Sequence, residues 1–162
     1  MTKHTSPIII GNWKATPRTL EEGLKFIKRL EKKITSSKNK LPKKAYYIAA
    51  PEIFIGRLQE LAKRGYIGAE VVHGTVSGQV TGATTPSQLA SGGASFALIG
   101  HSEVRARGET VEERMERVPL SIVSGLTAVV CFGEQKRDKE GKYLEELEND
   151  VKKTLSLVKR EL

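Results

Sequence analysis

A histidine and a carboxylate stand two residues apart in Ile99-Gly-His-Ser-Glu103, at the end of the apolar run Ser95-Phe-Ala-Leu-Ile-Gly100. An imidazole donates or accepts a proton near neutral pH, and a glutamate serves as a base or as the counter-ion of a cation. A second apolar run, Ile8-Ile-Ile-Gly-Asn-Trp-Lys14, delivers the amide of Asn12 and the ammonium of Lys14. Such groups stabilise a developing oxyanion. Both sets emerge where a buried strand turns into a loop, the end of a parallel sheet at which α/β enzymes keep their reacting groups. His101, Glu103, Lys14 and Asn12 therefore form the candidate site, although each taken singly also reads as a polar group at a loop edge.

The elements that must position them follow from the alternation of apolar patterns. Ile8 to Trp13 is a short continuous run, as expected of a parallel strand covered on both sides. Pro17 and the capping-box candidate Thr19-Leu-Glu-Glu22 then open a helix whose Leu20, Leu24, Ile27, Leu30 and Ile34 recur at helical spacing. After a lysine-rich connector at 36–44, Ala45 to Ala50 reads as a second strand ended by Pro51, and Ile53 to Lys63 as a helix. Ile67 to Val72 is the third strand. A long Gly/Ser/Thr loop runs from His73 to Thr85, then come a short helix from Pro86 to Ser91 and a fourth strand from Phe96 to Gly100. Thr110 starts another helix, which Pro119 is expected to kink or split and Gly125 to end. Leu126 to Cys131 is the fifth strand, Phe132 to Lys142 a charged loop, and Tyr143 to Leu162 a last amphipathic helix. Five β-α units in a row imply a parallel sheet with right-handed crossovers.

Length and composition bound the rest. A chain of 162 residues with 38% hydrophobic content suits one domain with a packed core. The first seven residues lack the apolar core of a signal peptide, and no apolar stretch reaches membrane-spanning length, so a cytoplasmic protein with no membrane partner is expected. Cys131 is the only cysteine. It excludes an internal disulfide, and its setting in Thr127-Ala-Val-Val-Cys131 suggests a thiol buried with its strand. The net charge of +8 is local. Residues 1–44 hold 12 of the 27 Lys/Arg and only three acidic residues, a balance of +9, and the other 118 residues come to −1. Lys25, Lys28, Arg29, Lys32 and Lys33 flank the apolar stripe of the first helix, which reads as a solvated face. A nucleic-acid partner would be expected to bring aromatic platforms or a recognisable motif as well.

Ile10-Gly-Asn-Trp-Lys14, Ile99-Gly-His-Ser-Glu103 and Cys131-Phe-Gly-Glu134 come after three of the expected strands, and in order and spacing they resemble the triosephosphate isomerase family. The stretch from Gly68-Ala69 to Thr81-Gly82 also has about the length of the loop with which family members reach into a dimer partner. The resemblance covers nearly all of this chain but about five of the eight units of a complete barrel. It implies an α/β partial TIM barrel, a single incomplete domain over 1–162. It also implies interconversion of dihydroxyacetone phosphate and glyceraldehyde 3-phosphate without a cofactor or metal.

In that chemistry a base moves a proton from carbon while donors stabilise the enediolate oxygen. The resemblance makes His101 the neutral imidazole electrophile and Lys14 the positive charge near phosphate and enediolate. It makes Asn12 an amide donor to substrate and Glu103 the partner of the lysine. Glu134 matches a structural glutamate. The family's base, in a Tyr-Glu-Pro-Val-Trp segment after its sixth strand, and its later phosphate loops have no counterpart in these 162 residues. This sequence also departs from the family pattern at Glu70-Val71, where Gln-Asn is usual, at Val104, where an arginine is usual, and at Ala83, where a glutamate is usual.

Two functions of different class are open to such a chain. One is an inert or very weak part of an isomerase whose remaining units come from a second chain. The other is a non-catalytic partial barrel that self-associates or binds a partner. Either way, five strands leave the first and fifth edges unpaired and the inner face without apolar cover.

Overall fold

The computed structural model describes residues 7–38, 41–74, 80–134 and 136–158. Five strands, β1 (Ile10–Asn12), β2 (Tyr46–Ala50), β3 (Gly65–Ala69), β4 (Phe96–Ile99) and β5 (Thr127–Val130), pair side by side in chain order, every pair parallel. Between them run α1 (Leu20–Thr35), a 3-10 turn at Glu52–Phe54 with α2 (Ile55–Leu61), α3 (Pro86–Ser91), α4 (Ser102–Arg105) and α5 (Val111–Val123). The helix α6 (Lys142–Val158) comes after β5. The sheet curls, and the helices pack on its convex side, giving a partial α/β barrel.

Alternation along each strand builds two cores. On the convex side Ile48, Ile67, Ala97 and Ile99 meet Ile27 of α1, Leu58 of α2, Leu89 of α3 and Val118 of α5, all buried. Full burial of an isoleucine, leucine or valine side chain stabilises by about 1.5–3 kcal/mol. On the concave side Ala49, Phe96 and Leu98 are buried with Tyr47, Tyr66 and Val129 packed against them. Tyr47 lies 5.0 Å from Tyr66 and 5.7 Å from Phe96 between ring centroids. The expectation of an uncovered inner face is met only in part, since Ala49, Phe96 and Leu98 are buried there. The partly exposed rings of Tyr47 and Tyr66 cover part of the concavity, and beneath them Phe96 is 0% exposed.

The outer edges of β1 and β5 have no strand neighbour among the described residues. Ile8 and Ile9, beside the free edge of β1, are 68% and 65% exposed.

Other boundaries shift for local reasons. Held by β2 alone, β1 is shorter than the expected run, although Tyr47 N–H still donates to Ile9 O and Trp13 N–H to Ala49 O, both at 2.9 Å. The strand β3 begins two residues before the expected one, at Gly65, where a Cβ would come within 2.1 Å of the Tyr46 ring. That ring is fixed by its hydroxyl, which donates to Glu31 of α1 at 2.7 Å, and the same carboxylate accepts the Arg64 N–H at 2.8 Å.

Thr19 does cap α1, accepting from Glu22 N–H at 3.3 Å, but the Glu22 carboxylate accepts from Arg18 N–H rather than closing a box on Thr19. Reciprocal capping boxes occur instead at Thr85 with Gln88 and at Thr110 with Glu113. Pro119 neither ends nor splits α5, which runs through it. Buried Val118 and Ser121 on either side seat the helix on the sheet and outweigh the lost N–H. Residues 75–79 of the expected loop and 159–162 of the expected last helix lie outside the described residues.

Candidate active site

The mouth of the sheet brings β1 and β4 together. Past β1, Asn12 Oδ1 accepts the Lys14 N–H at 3.0 Å and so folds the chain tightly at Trp13. Lys14 adopts φ +56°, a left-handed conformation that a non-glycine residue holds at a cost of about 1–2 kcal/mol. Trp13 anchors this turn, its ring edge-to-face with Phe26 of α1 at 5.4 Å.

At the end of β4, Gly100 turns the chain with φ +76°, and a Cβ there would stand 2.4 Å from Cδ of Arg114. The next residue, His101, caps α4, a helix the sequence did not reveal. Its Nδ1 accepts the Glu103 N–H at 3.3 Å. A nitrogen that accepts carries no proton, so the neutral ring holds its proton on Nε2, which is left to act as a donor.

Across 89 residues of sequence, Lys14 Nζ donates to Glu103 Oε1 at 2.8 Å, each side chain a little over half exposed. Glu103 Oε2 lies 3.8 Å from His101 Nδ1. The hydrogen bond from Lys14 holds the Glu103 carboxyl below its ordinary range, with desolvation opposing and the Lys14 and Arg107 charges adding to it. The expected Lys14, Glu103 and His101 are thus gathered in one place, with Asn12 acting on the Lys14 backbone.

A carboxylate that was not among the candidates joins them. Glu70 comes directly after the last residue of β3, half-buried, and its Oε1 is buried with no hydrogen-bond partner. Burial pushes its pKa up to about 7; the Lys14 backbone N–H pulls it down and the Glu103 charge pushes it further up. The available signal was position: a charged residue at a strand's C-terminal end, where the family has an amide.

Beneath this mouth lies a second polar region. Arg114 of α5, 3% exposed, donates through Nη2 to both carboxylate oxygens of Asp150 on α6 at 2.7 Å. Arg117 pairs with Glu109, both nearly buried, and Arg105 donates to the Gly133 carbonyl. Of these, Arg105, Glu109, Arg114, Gly133 and Asp150 border a cavity of about 590 Å³ between the start of α5, the β5 exit and α6. Glu134 lines it and is drawn to Arg137 at 2.6 Å, whose hydrogen bond holds its carboxyl below the ordinary range. Cys131, just past β5, is partly buried, and desolvation raises its thiol pKa.

The family model described as triosephosphate isomerase aligns with residues 7–162. A triosephosphate isomerase of Bacteroides fragilis is 37% identical over 137 residues, covering 82% of this chain and 53% of that protein. One from Porphyromonas gingivalis is 35% identical over 152 residues, 91% of this chain and 59% of the other, and one from Phocaeicola vulgatus is 34% identical over 136, 82% and 53%. The chain spans about half the length of the curated relatives it matches.

Proposed function

The chain belongs to the triosephosphate isomerase family, and we propose that it supplies the electrophilic half of a site that interconverts dihydroxyacetone phosphate and glyceraldehyde 3-phosphate. The reaction moves a proton between neighbouring carbons through an enediolate. In this reading His101 Nε2–H donates to the oxygen on which charge develops, and Lys14 places an ammonium beside that oxygen and the phosphate. Glu103 holds Lys14 in place, and Asn12 fixes the turn that carries it. Removing one such preorganised donor typically lowers kcat by about 10²–10³.

The observation that carries the proposal is the Lys14–Glu103 contact beside a histidine whose Nδ1 is already engaged. It joins two strand ends far apart in sequence into one constellation of donors.

Neither Glu134 nor Asp138 of the loop after β5 fills the role of the base. Glu134 is bound to Arg137, and the Asp138 carboxyl accepts the N–H groups of Lys142 and Tyr143 at the start of α6. The base and the phosphate grip then come from protein outside these residues, as a continuation of the chain or as a second polypeptide docking on the free edges of β1 and β5. The 162 residues by themselves are inert or very slow. We place the assembly in the cytoplasm, with a phosphorylated triose as its small-molecule partner; among the described residues no helix is long and apolar enough to cross a membrane.

The test is an isomerase assay of the chain alone and after addition of a polypeptide carrying the last three β-α units of a relative. Activity appearing only on addition supports the proposal. Turnover by the chain alone refutes the missing base, and inactivity of a stable mixed complex refutes the electrophilic half-site. A second reading, a non-catalytic barrel that pairs with its own kind, rests on the exposed Ile8 and Ile9 beside β1. It predicts a stable homo-oligomer by light scattering that never gains activity.

A further inference from the structure

Glu70 is a carboxylate set among the groups that would receive an anion. From the β1 exit the Lys14 backbone N–H, and from α4 the charge of Glu103, bear electrostatically on its carboxyl, Glu103 itself being tied to Lys14 Nζ and close to His101. The neighbouring β2 exit offers Ala50, in register with Ala69, then Pro51, and Glu52 beyond it is solvent-exposed. One oxygen of Glu70 is shut from water without a partner. A buried carboxylate without a cation of its own is far more costly than the neutral acid.

The net charge of the mouth decides whether an anion is welcome there. With Glu70 neutral, Lys14 and Glu103 cancel and Arg107 adds positive charge beside Glu103, so an anionic substrate meets an ammonium and no unpaired carboxylate. With Glu70 ionised a carboxylate that has no cation of its own faces the incoming phosphorylated triose, adding like charge to like in a partly desolvated place.

We propose that Glu70 is an affinity-determining residue of this site, a carboxyl that must be uncharged before the mouth accepts an anionic triose. The proposal rests on the triose phosphate reading above and deepens it. In a chain with an amide at this position, affinity would carry no such dependence, because an amide keeps the shape and bears no charge. Here affinity falls as pH rises through neutrality, since burial and Glu103 move the ionisation of Glu70 to about 7.

The test measures binding of glycerol 3-phosphate, an unreactive analogue, to the 162-residue chain and to E70Q at pH 6 and pH 8, each combined with the added β-α units of the complementation assay that supply the phosphate grip. Comparison of the two proteins at each pH cancels the ligand's own titration. Equal affinities are expected at pH 6. At pH 8 E70Q binds about tenfold tighter, the factor by which one pH unit above the midpoint depletes the neutral acid. E70A, which removes the charge without supplying an amide, should behave as E70Q does and stands in for it if that variant does not fold.

The carboxyl ¹³C resonance of Glu70 in the free chain is monitored in parallel and should titrate near neutrality. Equal affinities of the chain and both variants at pH 8 overturn the proposal while leaving the triose phosphate reading intact. A Glu70 resonance that titrates in the ordinary carboxylate range overturns it without reference to any ligand. Absence of binding by all three at both pH values also overturns it, because removing the charge should then have opened the site, and the isomerase reading is judged separately by the complementation assay.

Discussion

Two ion pairs of the same chemistry do opposite jobs in this molecule. Lys14 and Glu103 meet at 2.8 Å at the mouth, both more than half exposed, whereas Arg114 and Asp150 meet at 2.7 Å with the guanidinium 3% exposed. Exposed pairs contribute little to stability and exchange easily with water or a ligand. A buried pair contributes little over an apolar substitute but is severely disrupted when one partner is removed. The difference teaches that the upper pair is built to be displaced and the lower pair to hold. Arg114 locks α5 to α6 and packs over Gly100, the residue that aims His101.

The contrast is most severely tested by D150A. It leaves Arg114 buried without its partner and should cost about 3–5 kcal/mol in urea denaturation, while R114M/D150L together should restore most of that. A midpoint for D150A no lower than that of E103A would break the comparison.

K14M comes next. In the complemented barrel it should lower kcat by about 10²–10³ while leaving the urea midpoint of the chain unchanged. A smaller effect is expected of G100A, which forces a side chain into φ +76° against Arg114. Its cost of about 1–2 kcal/mol for the backbone, plus the displaced guanidinium, is read from the same melts.

The pH dependence of stability sharpens the upper half of the contrast. Glu70 holds its proton to about pH 7 in the fold against an ordinary 4.5, so the fold binds more protons than the unfolded chain between those values. Stability from this group is complete below pH 4.5 and is lost as pH rises to about 7. Discounted for its solvent exposure, the loss is on the order of 1 kcal/mol, and E70Q should flatten that part of the profile. The smallest effect is that of E103A on unfolding, where no change in midpoint is expected, although it frees Lys14 and should lower activity of the complemented enzyme.

The strands and the long helices were legible because burial imposes period: β2 and β4 as short apolar runs, α1 as a stripe from Leu20 to Ile34. Three of the four site residues stand together as expected because each lies just past a strand, and strand ends converge in any parallel barrel. The shared place of Lys14 and Glu103 could be anticipated from the family likeness, but the role of Glu70 could not. A glutamate after Gly-Ala reads as one more loop charge until the Lys14 backbone and Glu103 are seen beside it. Arg114 was hidden for a similar reason. In a helix rich in Glu and Arg it looks solvated, and its partner lies 36 residues away. The persistence of α5 through Pro119 reflects tertiary packing overriding local preference.

Trp13 is the only indole in the chain and precedes Lys14 in the turn that Asn12 ties. Its emission is therefore an intrinsic optical probe of that turn, reporting in real time on ligand arrival or on docking of further units without any added label. Because its ring leans on Phe26, a change in wavelength without a change in helicity would mean that the turn has shifted while α1 stayed in place.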